Sequence, residues 1–200
     1  MKTKSAVVLA LLLLALPGVA AAQHSGGGSA PPSTTAPAEA RQFDFLIGQW
    51  ELDVKPKVSS LAAMIHGSPK LVGSWKAWRG LDGFGVQDEL RIADASGNPM
   101  SLNEALRVFD RNQNRWTVVG VDVYRARVSN STAQWNGSEM RLDGNGVDGE
   151  GKAYVSRTRY FEIGTDAFRM QQDRSYDNGQ TWEEATLAIE ARRVAAAAAR

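Results

Sequence analysis

Three ionisable side chains interrupt apolar alternation in this chain. Asp88 stands among Val86, Leu90 and Ile92, and Arg157 with Arg159 stands among Val155, Phe161 and Ile163. At a two-residue period each set shares one strand face. A guanidinium grips a carboxylate or another oxyanion through two parallel N–H donors, and an aspartate can neutralise it or take part in proton transfer. Such groups are seldom buried without partners, so two arrangements are open. If the arginine face turns inward, Arg159, supported by Arg157, anchors an anionic group, with Asp88 as counter-charge and Trp75 beside the ligand. If it turns outward, Tyr154, Ser156, Thr158 and Tyr160 line an uncharged, hydrogen-bonding interior, and Tyr160 joins the candidate ligand contacts.

Other chemistries lack their residues. The chain has no cysteine, which removes disulfides, thiolate–zinc sites and thiol catalysis. His24 falls in a low-complexity stretch, leaving His66 as the one histidine of the folded part. A two-histidine zinc site is therefore absent, and no Gly-x-Ser-x-Gly elbow accompanies a Ser-His-acid triad. The run Asp143 to Glu150 departs from a calcium loop because Val147 occupies its fifth position, where an oxygen ligand belongs. No metal or cofactor is expected. An enzyme using carboxylates such as Asp88 or Asp122 is the alternative to a binding protein, and a filled barrel acting through its surface is a third reading. Ser175-Tyr176-Asp177-Asn178-Gly179-Gln180-Thr181-Trp182 fits the Asp-box pattern Ser-x-Asp-x-Gly-x-Thr-Trp in a single copy. One copy cannot build a propeller, so Asp177, Gly179 and Trp182 are expected to shape a hairpin, the short side chains bonding turn amides while the indole packs beneath.

The elements that would position these residues read as β-structure behind an export signal. Lys2 and Lys4 precede the apolar run Ala6 to Leu16, Pro17-Gly18 breaks it, and Ala20-Ala21-Ala22 offers small residues for cleavage. That pattern predicts a signal peptide over 1–22 and a periplasmic or secreted protein. The run is 11 residues long, short of the roughly 18–20 that span a bilayer. Removing Lys2 and Lys4 takes the formal charge from +1 to −1, which argues against a nucleic-acid partner. Residues 23–40, rich in Gly, Ser, Ala, Pro and Thr, read as a flexible linker. The sequence carries no signal for oligomeric state.

Residues 41–194 then form the expected domain, with 195–200 a frayed tail. Phe43, Phe45, Leu46 and Ile47 are too apolar for a loop and predict a short helical turn plugging one end. Gly48 permits the close approach at which Trp50 inserts, and Trp50, Leu52 and Val54 alternate with Glu51, Asp53 and Lys55. Residues 56–70 read as a short helix or an irregular lid. Strands follow at 71–78, 84–92, 102–109, 115–124, 125–135, 139–143, 154–163, 167–176 and 181–192, with Asn136-Gly137 and Asn178-Gly179 as hairpin signals and a glycine-rich loop over 144–151. The expected fold is all-β, an antiparallel meander of about eight to ten strands closed as a barrel so that no edge is exposed. Trp75 and Trp78, three apart, must point to opposite faces of their strand.

Gly48-Gln49-Trp50 after an apolar turn, the meander, and Arg192-Arg193 on the final strand resemble the lipocalin and wider calycin group. More closely, Phe43 to Trp50, Trp78 to Glu89, Leu106 to Trp116 and Ser175 to Trp182 resemble an uncharacterised family of bacterial secreted lipocalin-like proteins, over nearly all of residues 41–192. The resemblance implies a calycin-type barrel, an arginine stacked on Trp50, with Arg192 or Arg193 in place for it, and a small, mostly apolar ligand; the inward orientation of Arg157 and Arg159 would make that ligand an anionic amphiphile. It departs from true lipocalins in lacking their disulfides. Some small calycin barrels hold haem through a histidine on a late strand, and residues 67–200 contain none.

Overall fold

The computed structural model describes residues 33–58, 64 and 69–195. The expected signal peptide, most of the 56–70 segment with His66, and the last five residues of the tail lie outside the described residues.

Ten strands form one closed barrel: β1 (Gly48–Pro56), β2 (Leu71–Gly80), β3 (Gly85–Asp94), β4 (Pro99–Asp110), β5 (Arg115–Asp122), β6 (Arg127–Trp135), β7 (Met140–Val147), β8 (Ala153–Phe161), β9 (Ala167–Ser175) and β10 (Glu183–Arg193). Each strand pairs antiparallel with its sequence neighbour. β10 closes the ring on β1 through the register Trp50↔Arg193, Leu52↔Ala191 and Val54↔Ile189. Alternation sets the inner face: Trp50, Leu52 and Val54 are buried, and Glu51, Asp53 and Lys55 are exposed. A shift between Glu183 and Leu187 in β10, with Ala185 at φ 51°, keeps Leu187, Ile189 and Ala191 inward after the bend.

The apolar turn is a plug. Two short 3-10 turns, Ala38–Arg41 and Asp44–Leu46, lie across the end from which β1 starts. Their carbonyls and side chains are tied to the barrel: the Trp50 indole N–H donates to the Leu46 carbonyl at 2.7 Å, that of Trp116 to Gln42 Oε1 at 3.0 Å, and Arg79 pairs with Asp44. Ala40 is buried and Ala36 packs on the core, so the ordered fold begins several residues before 41, inside the stretch expected to be a linker. Apolar contact outweighs the small-residue composition there.

Two further local expectations change. β7 runs on through Gly144 and Gly146 to Val147, where a loop was expected. A Cβ at Gly146 would fall 2.6 Å from the Tyr154 hydroxyl, so the glycine makes room for that ring rather than marking a turn. At Asn136-Gly137 only the glycine has positive φ, and Trp135 pairs with Met140 across a four-residue loop in which Asn136 Oδ1 accepts the Ser138 and Glu139 amides. A side-chain turn therefore replaces the type I′ turn. Asn178 and Gly179 both take positive φ, at 60° and 90°.

Candidate functional site

The inner face divides at one ion pair. Asp88, from β3, and Arg107, from β4, are 2% and 3% exposed and bonded to each other across the barrel wall. The Trp75 indole N–H donates to Asp88 Oδ1 at 2.6 Å, so both carboxylate oxygens are occupied. The Arg107 guanidinium lies 5.2 Å above the Phe43 ring of the plug and beside the Tyr160 hydroxyl. Burial lowers the Arg107 pKa, opposed by Tyr160; a guanidinium starts so far above neutrality that it stays charged. Its Nε is buried with no hydrogen-bond partner.

Below this pair, towards the plug, rings fill the barrel: Phe43 meets Trp116 edge-on at 4.8 Å, Trp50 meets Phe168 at 4.8 Å, and Phe45 meets Phe168 and Tyr160 at 5.7 Å. Above it lies a cavity of about 410 Å³ with the ion pair and Trp75 in its wall. Its lining is mixed, with Leu90, Val118, Leu142 and Met170 beside Asn103, Ser131, Ser156, Thr158 and Gln172. It reaches the opposite end of the barrel at the β5–β6 and β7–β8 turns, where Arg125 and Asp148 also line it.

Near this rim, Arg127 and Arg174 approach the β7–β8 turn. Arg127 Nη1 donates to the Asp148 carbonyl at 2.5 Å, and Arg174 stacks on the Tyr154 ring at 4.3 Å with its Nε bonded to Gln172 Oε1 at 2.8 Å. Asp148 accepts the Glu150 and Lys152 amides at 3.0 and 2.9 Å, and these bonds, that from Lys152 foremost, hold its carboxyl below the usual range. Asp122 is paired with Arg125 at 3.0 Å. Among the described residues, neither Arg127 nor Arg174 has a carboxylate oxygen within 4.0 Å.

The residues expected to contact a ligand separate. Asp88, Trp75 and Tyr160 point inward and line the cavity together. Arg157 and Arg159 do not: β8 turns Ser156 and Tyr160 inward and leaves both arginines exposed. Outside the barrel, Arg157 pairs with Asp173 at 2.9 Å and covers Trp182, and Arg159 stacks on Phe161. Both faces of β8 carry aromatic or apolar residues, so its sequence fits either orientation; the charge of two guanidinium groups decides it. The arginines that line the cavity are instead Arg107, Arg125, Arg127 and Arg174. Arg107 could have been found from Leu106-Arg107-Val108-Phe109, where its inward partner at two-residue spacing is Phe109.

The framework residues also resolve. Gly48, at φ +130°, lies against the Arg193 guanidinium where a Cβ would collide. Arg193, rather than Arg192, covers Trp50, at 4.0 Å, and donates to the Ile47 carbonyl at 2.9 Å. Strand parity is the reason: Trp50 pairs with Arg193, which leaves Arg192 exposed opposite Glu51. In the Asp-box, Ser175 Oγ donates to Asp177 Oδ1 and accepts from the Gly179 amide, both at 2.7 Å. Asp177 also accepts the Thr181 amide at 2.8 Å and hydroxyl at 2.6 Å, and Trp182 donates to the Gly179 carbonyl at 3.1 Å. Trp182 is part-buried outside the barrel beneath Arg157. Trp78 is exposed while Trp75 is buried, as their odd spacing requires.

Among the described residues, no group of three or more His, Asp or Glu is placed to hold a metal, and no helix is long and apolar enough to cross a membrane. No protein-family model matches the chain, and no curated protein matches it. Solved structures do. Rv2717c from M. tuberculosis superposes with a TM-score of 0.58 at 13% identity, over 80% of this chain and 100% of that one. The S-type phycobiliprotein lyase CPES from Guillardia theta superposes with a TM-score of 0.51 at 7% identity, over 78% and 93%. At these identities the likeness shows the fold alone, a lipocalin-like, calycin-type barrel.

Proposed function

We propose that this is an exported binding protein that carries a small amphiphilic molecule in the open half of its barrel. The observation that carries the reading is the cavity of about 410 Å³ with the Asp88–Arg107 pair in its wall. Its volume falls within the roughly 300–1,000 Å³ of pockets that bury small molecules. The buried, unpartnered Arg107 Nε is a donor whose desolvation goes uncompensated until an oxygen acceptor meets it. A carbonyl, hydroxyl or ether oxygen suits it better than a full anion, because Asp88 already neutralises the guanidinium. Leu90, Val118, Leu142 and Met170 supply the apolar contact that an amphiphile's body needs.

Export is supported by Lys2, Lys4, the apolar run and the alanines ending at Ala22. Catalysis by Asp88 has less support, since Trp75 and Arg107 occupy both of its oxygens and Asp122 is paired with Arg125. Two measurements test the proposal. N-terminal sequencing of protein recovered from outside the cytoplasm is expected to start near Gln23; retention of Met1 refutes export. Titration with the uncharged fluorophore N-phenyl-1-naphthylamine is expected to saturate at one site and to alter Trp75 emission. No saturable signal from the purified protein refutes the pocket.

A further inference from the structure

The floor and the rim of the cavity differ in charge. Asp88 and Arg107 cancel at the floor, whereas at the rim Arg127 and Arg174 have no carboxylate within 4.0 Å among the described residues. The acids of the rim are Asp122, paired with Arg125, and Asp148, which accepts the Glu150 and Lys152 amides and lies within Coulombic reach of Arg174, so Arg125, Arg127 and Arg174 outnumber the carboxylates by one.

Arg174 is also held in place. The Tyr154 ring lies against Gly146 on one side, where no Cβ intervenes, and the Arg174 guanidinium stacks on that ring at 4.3 Å. Gln172 fixes the Arg174 Nε, and Tyr176 packs against Tyr154 at 6.0 Å with Lys152 above its ring at 4.4 Å. Arg127 is fixed from the other side through the Asp148 carbonyl. Two oriented guanidinium groups beside an uncharged, partly apolar chamber form an anion receptor at its mouth.

We propose that Arg127 and Arg174 form a collar that binds the anionic head of the ligand, a carboxylate, sulfonate or phosphate, at the mouth of the barrel, while its neutral body enters towards Arg107. This deepens the binding reading and rests on it. It fixes the ligand's polarity: the charge stays where partial hydration and two cations offset its desolvation, and an uncharged acceptor goes to the neutral pair.

The test compares two fluorophores that share one aromatic body, uncharged N-phenyl-1-naphthylamine and anionic 8-anilinonaphthalene-1-sulfonate. Wild-type protein is expected to bind the sulfonate about tenfold more tightly, the scale of one charge-assisted contact, with the preference shrinking as salt rises. Arg127→Gln with Arg174→Gln removes the preference, read as the ratio of the two affinities within each protein. Arg127→Lys with Arg174→Lys keeps part of it and guards against misfolding, checked by an unchanged melting temperature. Arg157→Gln with Arg159→Gln, on the outer wall, leaves the preference intact. If both probes bind wild type equally, or if the glutamine pair keeps the preference, the collar is overturned while the pocket stands. If neither probe binds, the pocket fails and the collar with it.

Discussion

At the closed end, Phe43, Phe45, Trp50, Trp116 and Phe168 pack ring against ring, whereas beyond the Asp88–Arg107 pair the same ten strands present Asn103, Ser131, Ser156, Thr158 and Gln172 to the interior. The closed half has its plug tied down by Trp50, Trp116, Arg79 and Arg193, and Phe43, Leu46, Trp50, Trp116 and Phe168 are almost fully buried. The open half keeps its space by using small and hydroxylic side chains, and a glycine under Tyr154. Hydrophobic stabilisation is therefore concentrated at one end, which leaves the other free to hold polar groups that contribute little to folding.

Three predictions set this contrast against measurement. The largest effect belongs to the closed end: Trp50→Ala is expected to cost roughly 3–5 kcal/mol, the usual range for a buried tryptophan. A urea melt showing a loss below about 1 kcal/mol would place the stability elsewhere.

A single change at the boundary is expected to cost as much. Arg107→Met leaves Asp88 buried without its counter-charge and is expected to cost roughly 3–5 kcal/mol, whereas Asp88→Leu with Arg107→Met is expected to restore most of that loss. The difference between single and double variants is what identifies a coupled pair; equal losses would mean that Arg107 acts through packing alone.

The smallest effect belongs to the open end and shows only in acid. Hydrogen bonds from the Thr181 hydroxyl and amide and from Ser175 hold Asp177 down to about 2. A depressed carboxylate contributes stability that is fully present above its unfolded value of about 3.9, and that is lost as pH falls through the folded value. Asp177→Asn is thus expected to flatten the fall in melting temperature between pH 4 and pH 2. An acid limb as steep as that of the wild type would show that this turn does not couple to folding.

How much of this was legible in the sequence varies from element to element. The plug was, because Phe43, Phe45, Leu46 and Ile47 are too apolar for any place but a core. The strands were, because alternation such as Trp50, Leu52, Val54 states both the period and the buried face. The Asp-box was, because its bonds run between residues four apart or fewer. Arg107 and Asp88 each look like a strand residue of indifferent orientation, since their partnership joins positions 19 apart and exists only once β3 lies beside β4. The same holds for Arg193: which member of the Arg192-Arg193 pair covers Trp50 depends on the register of β10 against β1.

What the sequence by itself determined was the closed antiparallel meander, its plug and the absence of cysteine and of paired histidines, because these follow from composition, periodicity and short-range turn chemistry. What only the tertiary structure decided was which way β8 faces, and so which arginines meet the interior. Both faces of that strand carry residues a core accepts, and the choice rests on the desolvation of Arg157 and Arg159 against neighbours that sequence spacing does not reveal.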